Sequence, residues 1–339
     1  MATQLQARTE RRDTTYPSVS VLLPAWNEHR MIERCLASLM SLDWPNLEII
    51  VCAGGSDGTL RRALRFERDN VLILAQRPGD GKQVALRRCF ERSRGDIIYL
   101  TDADCIVSSD TFSAVIEPIV LREAVAATGT SQPHDEQITD PFAFHQWSTL
   151  RAVDRTRADQ SSGLLGRNCA IRRDALIAAG AFTAPVPIGT DYHLARKLHL
   201  NGDAIRYVPV AVESEYPTTP RGIIRQQSRW LRNIFLHGRR TGDRTEVVAC
   251  ARTVTIGAGF LLWPLSWRWT RRGGILLWIG FYAELIRRRQ QHARALTAEM
   301  GIKLPRGYLA RLPWLTLIDI ISWASPLFDA ASPRRRLRW

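Results

Sequence analysis

Two carboxylates, Asp102 and Asp104, come directly after a short apolar run. Asp102-Ala103-Asp104 begins where the run at residues 96–100 stops, which places both side chains at the end of a predicted strand. Carboxylate oxygens are the ligands that Mg²⁺ prefers and that suit Mn²⁺, and a metal held there could neutralise a diphosphate leaving group. Acidic residues also cap helices, and Asp110 just downstream is interpreted as such a cap. The pair predicts a metal site only together with its surroundings.

A lysine beside two glycines, Lys82, lies upstream of the same apolar run. Gly79-Asp80-Gly81-Lys82 opens the predicted helix that leads to it. Backbone amides at a helix N-terminus and one ammonium group can meet phosphate oxygens there. The spacing does not match the P-loop pattern GxxxxGK followed by Ser or Thr. Local sequence therefore leaves two interpretations of Lys82 open, a phosphate contact and a solvated lysine in a first helical turn.

Short apolar runs alternate with helical patterns around these residues. Asn27 is available to cap the first helix, and the predicted elements are strands at residues 19–24, 47–52, 71–74 and 96–100 and helices at residues 31–39 and 82–92. Repeated strand and helix units predict a mainly parallel sheet, and in such sheets ligands bind at the carboxyl ends of strands. Gly55, in the glycine-rich turn at residues 53–59, and Asp102 both fall at such ends.

A series of short motifs follows one order between residues 17 and 240. The motifs are Pro24-Ala25-Trp26-Asn27-Glu28, Lys82 with Ala85 and Leu86, Gly95-Asp96-Ile97-Ile98 leading into Asp102-Ala103-Asp104, Gly163-Leu164-Leu165-Gly166-Arg167-Asn168, Gly189-Thr190-Asp191-Tyr192, and Gln226-Gln227-Ser228-Arg229-Trp230. This order resembles that of the family-2 glycosyltransferases. The last motif is similar to the QxxRW signature of membrane-bound members such as cellulose, chitin and hyaluronan synthases and ceramide glucosyltransferases.

The resemblance implies a fold, a reaction and a set of site residues. The fold would be GT-A, an α/β architecture in which helices flank a Rossmann-like mixed sheet. The reaction would be inverting transfer of a sugar from a nucleotide diphosphate donor, with a UDP-sugar favoured, to a lipid, lipid-linked or growing glycan acceptor. Asp191 would be the catalytic base, and Asp102 and Asp104 would bind Mg²⁺ or Mn²⁺. Donor contacts are implied for Pro24, Asn27, Glu28, Gly55, Asp57, Lys82, Asp102, Gln226, Arg229 and Trp230, and acceptor contacts for Gly166, Asn168 and Trp230.

The QxxRW-like motif combines three side chains with distinct chemistry. Arg229 could clamp a phosphate through its guanidinium group. Trp230 could form the wall beneath the terminal sugar of the acceptor, and Gln226 could form a hydrogen bond with that sugar. An amphipathic helix with Arg on its exposed face and Trp in the core would have the same sequence pattern. Found alone, the motif would favour that structural interpretation.

Two positions depart from the family pattern. The turn after the second strand usually reads Asp-Asp-Gly-Ser, whereas this chain has Ala53-Gly54-Gly55-Ser56. Recognition of the base and ribose must then depend on other groups, such as Glu28, Asp57 or the backbone, although Asp57 is equally explained as a turn residue. Thr190 stands where a Glu commonly precedes the catalytic Asp, so any support from that Glu is missing.

The C-terminal third combines apolar runs with basic clusters. The runs at residues 254–265, 275–286 and 314–328 alternate with Arg-rich segments, and Trp is concentrated there. Trp favours the membrane–water boundary, and the first two runs are shorter than the roughly 20 residues of a spanning helix. Spanning by the first run would carry Arg268, Arg271 and Arg272 across, against the positive-inside tendency. We therefore expect interfacial or re-entrant helices, with an ordinary apolar helical subdomain as the alternative.

The charge and the C-terminal apolar runs together favour a location at the cytoplasmic face of a cell membrane. The net charge of +14 favours anionic partners, and anionic lipid is the expected one because the basic clusters flank apolar runs. The N-terminus is polar without a signal sequence, and the six cysteines show no CxxC pair that would predict a zinc site or a disulfide scaffold. The expected plan is a polar leader at residues 1–16, a glycosyltransferase domain at residues 17–243 and a membrane-associated helical region at residues 244–339.

Three other functions are compatible with parts of this pattern. A basic nucleic-acid-binding protein would explain the charge, but no nucleic-acid partner is expected since the clusters adjoin Trp-rich apolar runs. A catalytically inactive scaffold is disfavoured because Asp102, Asp104, Asp191 and Arg229 are present. A processive polysaccharide synthase subunit needs a transmembrane channel, for which three short apolar segments provide little material. A lipid or lipid-linked acceptor is therefore preferred.

Overall fold

The computed structural model describes residues 16–184, 186 and 189–330. These residues form seven strands, β1 (Val19–Trp26), β2 (Leu47–Gly54), β3 (Val71–Ala75), β4 (Ile97–Leu100), β5 (Ala126–Pro133), β6 (Cys169–Arg172) and β7 (Ile205–Ser214). They also form eleven α-helices, α1 (Ile32–Met40), α2 (Thr59–Ala63), α3 (Gly81–Arg92), α4 (Ser109–Val120), α5 (Pro141–Asp154), α6 (Arg173–Ala178), α7 (Thr190–Leu200), α8 (Pro220–Arg240), α9 (Arg244–Leu262), α10 (Trp267–Met300) and α11 (Tyr308–Ala330). Most of the predicted polar leader and the basic cluster at residues 334–336 lie outside the described residues.

The chain divides into two compact units. The first contains Met1–Gln132 and Arg157–Ser214, and the second contains Pro133–Thr156 and Glu215–Trp339. The predicted boundary after residue 243 does not coincide with this division, because α5 and α8 pack with the C-terminal helices. A functional boundary at residue 243 stays a prediction.

The sheet of the first unit is mixed, with strand order β3-β2-β1-β4-β6-β5-β7. β1 pairs in parallel with β2 and β4, and β2 pairs in parallel with β3. β6 pairs antiparallel with both β4 and β5. The predicted α/β architecture with a mixed sheet and flanking helices is confirmed. Because β1, β2, β3 and β4 run the same way, their carboxyl ends meet at one edge of the sheet.

Alternate residues of the parallel strands face two separate apolar layers. One layer contains Val21 and Leu23 of β1, Ile49 and Val51 of β2, Ile32 and Leu36 of α1, and Phe112 and Val115 of α4. The opposite layer contains Leu22, Ile50, Leu86 and Cys89 of α3, and Leu194 and Leu198 of α7. Successive side chains of a strand point to opposite faces, so a strand buried on both faces reads as a continuous apolar run. Packing in both layers fixes the positions of the strand ends.

Two helix caps differ from the sequence-based expectation. The N-cap of α1 is Met31, which makes no side-chain capping hydrogen bond, so the prediction that Asn27 caps this helix is wrong. Asn27 belongs instead to a turn beside β2. The cap of α4 is Ser108, whose hydroxyl accepts from the Thr111 amide, and Asp110 lies within the first turn. Carboxylates in a first turn are favoured by the helix dipole without being the cap.

The helices of the second unit share a core and a buried polar network. The core contains Phe144 and Trp147 of α5, Ile223 of α8, Leu296 of α10, and Tyr308, Leu312 and Leu315 of α11. His145 is 1% exposed, and its ring nitrogens lie 3.0 Å from Tyr308 Oη and 3.1 Å from Asp319 Oδ2. Arg289 donates to the same Asp319 oxygen at 2.7 Å. The network therefore ties α5, α10 and α11 together.

Helix α9 is longer than its apolar run predicted. The helical segment Arg244–Leu265 has 22 residues and a mean hydropathy of 1.5, and by length and composition it could cross a membrane. Only 22% of its most apolar stretch is buried within the structure. The expectation that this segment is too short to span is wrong, because the helix begins at Arg244 rather than near residue 254.

Candidate active site

Both carboxylates of the Asp102-Ala103-Asp104 motif lie at the end of β4, each against a different side chain. Asp102 forms an ion pair with the Lys82 ammonium group, which α3 supplies from its second residue. Asp104 Oδ2 accepts a hydrogen bond from Ser214 Oγ at 3.1 Å, at the end of β7. Arg167 in turn donates to Ser214 Oγ. Two cations therefore lie close to the carboxylates. Lys82 contacts Asp102 directly, and Arg167 is linked to Asp104 through the Ser214 hydroxyl.

Lys82 lies in the field of two carboxylates from different elements. Its side chain is 32% exposed. Burial alone would lower the pKa of the Lys82 ammonium group, but the charges of Asp102 and Asp191 outweigh this effect and raise the pKa above its ordinary value. Lys82 is therefore a fixed positive charge at physiological pH. The structure thus brings together three predicted site residues, Lys82, Asp102 and Asp191.

Asp191 is the second residue of the helix α7, which follows a left-handed glycine. Gly189 has φ +73° and precedes Thr190, the first residue of the helix. Asp191 Oδ1 accepts from the Tyr192 amide at 2.9 Å, and Oδ2 lies 3.4 Å from the Gly166 amide. A carboxylate in the first turn is also stabilised by the helix dipole. Backbone amides thus orient Asp191, although the usual neighbouring Glu is replaced by Thr190.

Gly166 allows the loop at residues 163–168 to approach Asp191 closely. A Cβ atom added to Gly166 would lie 3.1 Å from Asp191 Cβ and 3.3 Å from Oδ2. These distances are shorter than ordinary van der Waals contacts, so the carboxylate would have to move. Gly166 was predicted to bind the acceptor, and the structure places it against the predicted base. Gly166 thus lies against Asp191, and its contact with the acceptor stays a prediction.

We expect Gly166→Ala to lower kcat by about tenfold, because displacement of a reacting group by a fraction of an ångström weakens alignment. Thermal melting should change little. Gly163→Ala is the matched control, since an added Cβ at Gly163 meets nothing within 4 Å. Steady-state kinetics of the two variants checks the prediction. Equal losses in both variants, or none in Gly166→Ala, would contradict it.

Asn27 and Gly55 build the turn at the carboxyl end of β2. Asn27 has φ +59°, and its side-chain Oδ1 accepts from the Ser56 amide at 2.9 Å. Gly55 has φ +117°, and a Cβ there would lie 2.2 Å from Asn27 Oδ1. No side chain other than that of glycine fits at this position. The motif residues Asn27 and Gly55 therefore shape the edge of the sheet through their own contacts.

The Asp57 carboxylate accepts hydrogen bonds from Thr59 and His29. Its Oδ1 accepts from the Thr59 amide at 3.0 Å and the Thr59 hydroxyl at 2.6 Å, and its Oδ2 accepts from the His29 amide at 3.0 Å. Partial burial raises the pKa of the Asp57 carboxyl, but these hydrogen bonds outweigh burial and hold the pKa well below its usual range. The Glu28 amide donates to the Thr59 hydroxyl at 2.7 Å, and Pro24 pairs with Cys52 in the sheet. The turn interpretation of Asp57 matches this geometry.

Asn168 lies in the core of the first unit rather than at its surface. Its side chain is fully buried, and its Oδ1 accepts from the Tyr99 hydroxyl at 2.8 Å. Its Nδ2 donates to the carbonyls of Thr130 at 2.9 Å and Val210 at 3.2 Å. Both ends of the amide are thus occupied by the protein. A direct acceptor contact by Asn168 has no support in this geometry, and the residue instead holds the loop that carries Gly166.

The QxxRW-like motif lies on α8, in the second unit. Gln226 and Trp230 are half-buried, Ser228 is buried and Arg229 is exposed. Gln146 of α5 donates through Nε2 to Gln226 Oε1. The partly exposed Trp230 differs from the fully buried Trp that a purely structural helix would place in a core. The roles of Gln226, Arg229 and Trp230 toward donor and acceptor stay predictions.

Three residues near these sites were not predicted as site residues. Trp26 at the end of β1 is 39% exposed, and a Cβ added to Gly54 would lie 2.7 Å from its ring. Its place inside the first motif was a signal that could have identified it. Ser214 and Gln146 carried no such signal, because neither belongs to a motif and each reaches its partner only through folding.

The carboxylate pair fits a hard divalent cation that also binds a diphosphate. Among residues 16–184, 186 and 189–330, no group of three or more His, Cys, Asp or Glu side chains is arranged to hold a metal. Mg²⁺ sites beside nucleotides commonly use one or two carboxylates and complete their shell with phosphate oxygens and water. Asp102 and Asp104 are a donor set of that kind. Metal dependence itself stays a proposal.

The match to a known family covers most of the first unit and part of the second. Residues 17–233 match the family described as glycosyltransferase like family 2. The chain belongs to this family. The resemblance inferred from the motifs is therefore confirmed at the level of the family.

Two curated relatives show how far the similarity extends. An N-acetylglucosaminyltransferase of Rhizobium leguminosarum bv. phaseoli is 36% identical over 138 residues, which cover 37% of this chain and 31% of the relative. A beta-monoglucosyldiacylglycerol synthase of Trichormus variabilis is 30% identical over 229 residues, which cover 63% of this chain and 48% of the relative. This chain thus spans about half, or less, of the length of these relatives.

A solved structure extends the likeness to nearly the whole chain. The mannosyltransferase PcManGT of Pyrobaculum calidifontis, solved in complex with GDP-Man and Mn²⁺, matches with a TM-score of 0.60 and 18% identity. The match covers 96% of this chain and 94% of that one. Identity at this level shows the fold alone, and the expected GT-A fold of the family-2 glycosyltransferase is confirmed.

Proposed function

We propose that this family-2 glycosyltransferase is an inverting enzyme that transfers a sugar from a nucleotide diphosphate donor to a lipid or lipid-linked acceptor. The observation that carries the proposal is the grouping of Lys82, Asp102 and Asp191 at one edge of the sheet. Lys82 forms an ion pair with Asp102, and the charge of Asp191 also raises the pKa of the Lys82 ammonium group. One edge therefore offers a cation for phosphate, carboxylates for a metal and a base.

The proposed chemistry assigns one task to each of these side chains. Asp191 takes the proton from the acceptor hydroxyl as that oxygen attacks the anomeric carbon from the face opposite the leaving group. Lys82 contacts the phosphate oxygens of the donor, and Asp102 and Asp104 would hold Mg²⁺ or Mn²⁺. When bound, such an ion neutralises charge on the departing diphosphate. Alignment of both reactants across the anomeric carbon supplies much of the remaining rate.

Donor selection depends on the end of β1 and the turn after β2. Neither Ala53 nor Gly54 offers the carboxylates that the family usually has there, and Asp57 is engaged by Thr59 and His29. The exposed ring of Trp26 supports recognition of a base by stacking rather than by a carboxylate. Stacking on an aromatic ring discriminates weakly among bases. The resemblance favours a UDP-sugar, and a test of donors should therefore include a GDP-sugar as well.

Membrane attachment through the C-terminal helices is the second part of the proposal. Exposed large apolar side chains are concentrated there and include Val248, Ile256, Leu262, Leu276, Leu277, Leu309 and Trp314. A protein surface rarely exposes so much apolar area without a partner. Arg287 and Arg288 are exposed on the same helix as Leu276 and Leu277, and they share one carboxylate, Glu284, so that a net positive charge favours an anionic lipid surface at the cytoplasmic face. The name of the beta-monoglucosyldiacylglycerol synthase relative supports a lipid acceptor.

The test is release of nucleoside diphosphate from a panel of UDP-, GDP- and dTDP-sugars. The protein is mixed with vesicles of phosphatidylglycerol and diacylglycerol, with and without Mn²⁺, and flotation of the vesicles reports membrane binding. We expect Mn²⁺-dependent turnover with one donor class. Asp104→Asn should lower that turnover at least about a hundredfold, since loss of a charge-stabilising contact at a leaving group typically costs that much.

Asp110→Asn is the matched control, because Asp110 is an exposed carboxylate just downstream that the structure places in a helix turn. Turnover without metal, or an equal loss in both variants, would contradict the metal assignment. Silence of the wild-type protein across the whole panel would favour an inactive scaffold. Salt-sensitive retention of DNA or RNA by such a silent protein would favour the nucleic-acid alternative.

A further inference from the structure

A buried glutamine outside every sequence motif contacts the first residue of the QxxRW-like motif. Gln146, on α5, is 3% exposed. Its Nε2 donates to Gln226 Oε1, and the two residues are 80 positions apart in the chain. Gln146 Oε1 is also buried, and no described residue donates a hydrogen bond to it. Burying an amide that is only partly satisfied costs free energy, so packing alone does not explain a glutamine here.

The helix that carries Gln146 is firmly anchored within the second unit. The neighbouring His145 contacts Tyr308 and Asp319 of α11 through its two ring nitrogens. Arg151 Nε and Arg155 Nε donate to the Glu299 carboxylate of α10 at 2.8 and 2.9 Å. Gln146 therefore presents its N–H from a fixed position. A donor held on a rigid helix can orient a partner side chain, whereas a mobile one cannot.

The contact determines which end of the Gln226 amide can serve a ligand. A glutamine amide has an acceptor oxygen and a donor NH₂ group, and its orientation is set by its hydrogen-bond partners. Gln146 occupies one lone pair of Gln226 Oε1, which fixes the orientation of the amide and leaves the NH₂ group as its donor end. Sugar hydroxyl and phosphate oxygens accept hydrogen bonds from such a group.

We propose that Gln146 is a positioning residue that orients the Gln226 amide so that its NH₂ group meets the sugar substrate. This inference rests on the proposed function, because it assigns the substrate contact to Gln226. Gln146 itself does not touch the substrate. It acts only through Gln226, and that property distinguishes it from a residue that merely stabilises α5.

The test is a double-mutant cycle in the vesicle assay, with the nucleotide sugar that the panel identifies. Gln146→Met keeps the length of the side chain and removes both polar ends, so folding should be preserved. We expect Gln146→Met and Gln226→Met each to lower kcat/KM by about tenfold, as loss of one hydrogen bond would. The double variant should be no worse than Gln226→Met alone, because coupled residues are non-additive.

Two further variants separate positioning from stability. Thr149→Val removes a hydrogen bond from Thr149 Oγ1 to the His145 carbonyl on the same helix, and kcat/KM should stay within twofold of wild type. Gln226→Glu retains an acceptor for Gln146 but has no N–H, so it should lose as much activity as Gln226→Met. Retained activity in Gln226→Glu would overturn the assigned orientation, even if Gln146→Met did not fold.

The outcomes also separate this inference from the proposed function. An active wild-type protein whose two Met substitutions combine additively would overturn the positioning role of Gln146 alone. Unchanged kinetics in Gln146→Met would do the same. A wild-type protein that is silent with every donor would overturn the proposed function and this inference with it.

Discussion

Asp191→Asn is expected to lower the rate of sugar transfer by roughly 10² to 10⁴, the usual contribution of a positioned general base. The substitution keeps the shape of the side chain and its hydrogen bond from the Tyr192 amide, but a neutral amide cannot accept the acceptor proton. Donor binding should change little, because Lys82, Asp102 and Asp104 are retained. Single-turnover kinetics and calorimetric titration with the nucleotide sugar measure the two quantities separately.

The matched control is Asp159→Asn. Asp159 belongs to the same unit, and its side chain is 80% exposed in a surface ion pair with Arg206. This variant removes one negative charge from the unit without touching the site, and it should transfer sugar at the wild-type rate. If Asp191→Asn bound the donor much more weakly, or retained most of its transfer activity, the assignment of Asp191 as the base would be refuted.

Asp319→Asn is expected to lower the free energy of unfolding of the second unit by about 3 kcal/mol, the lower end for breaking a buried ion pair. Asp319 and Arg289 are 11% and 13% exposed in their side chains, and Asp319 also accepts from His145. Neutralising the carboxylate leaves the Arg289 charge buried without its partner. Urea unfolding followed by circular dichroism measures the loss, and hydrogen exchange at residues 308–330 localises it.

The loss of stability in Asp319→Asn is expected to depend on pH. Burial alone would raise the pKa of the Asp319 carboxyl, but His145 and Arg289 outweigh burial and lower the pKa below its ordinary value of 3.8. A carboxyl whose folded pKa is depressed contributes stability above its unfolded pKa and loses it as the pH falls through its folded pKa. The difference between wild type and Asp319→Asn should therefore be present above about pH 5 and shrink as the pH falls below about pH 4.

The partly exposed carboxylate Glu284, whose side chain is 37% exposed, provides the comparison. Its partners Arg287 and Arg288 lie on the same helix and are more than half exposed. Exposed pairs are screened by water, so Glu284→Gln should leave the unfolding curve almost unchanged. A loss in Asp319→Asn no larger than that of Glu284→Gln, or one that persists unchanged at pH 3, would show that the buried ion pair does not stabilise these helices.

The chemistry of the site could be predicted from sequence because it depends on residue types in short motifs. Asp102-Ala103-Asp104 at the end of an apolar run gave both the carboxylates and their place at the sheet edge. The strand and helix alternation gave a mainly parallel sheet, and the resemblance gave the mixed GT-A form. These features are local, since a strand and the turn that follows it are read from adjacent residues.

The functional meaning of several motif residues depended on partners that are distant in the chain. Asn168 looked like an acceptor ligand, but folding buries it against Tyr99, 69 positions away. Gly166 is predicted to contact the acceptor, and the structure adds that its missing side chain permits the close approach of Asp191. Asp57 looked equally like a donor ligand and a turn residue, and its contacts with His29 and Thr59 favour the turn.

The sequence by itself determined the family, the fold class and the identity of the charged groups, because these follow from residue types at fixed short spacings. Tertiary structure alone decided which partner each group has. Ser214 reaches Asp104 across 110 positions, and Gln146 reaches Gln226 across 80. Neither pair has a periodicity that a sequence pattern could reveal, since each depends on how separate elements pack. Hydrogen bonds and desolvation act over a few ångströms, and only the folded chain brings these residues within that distance.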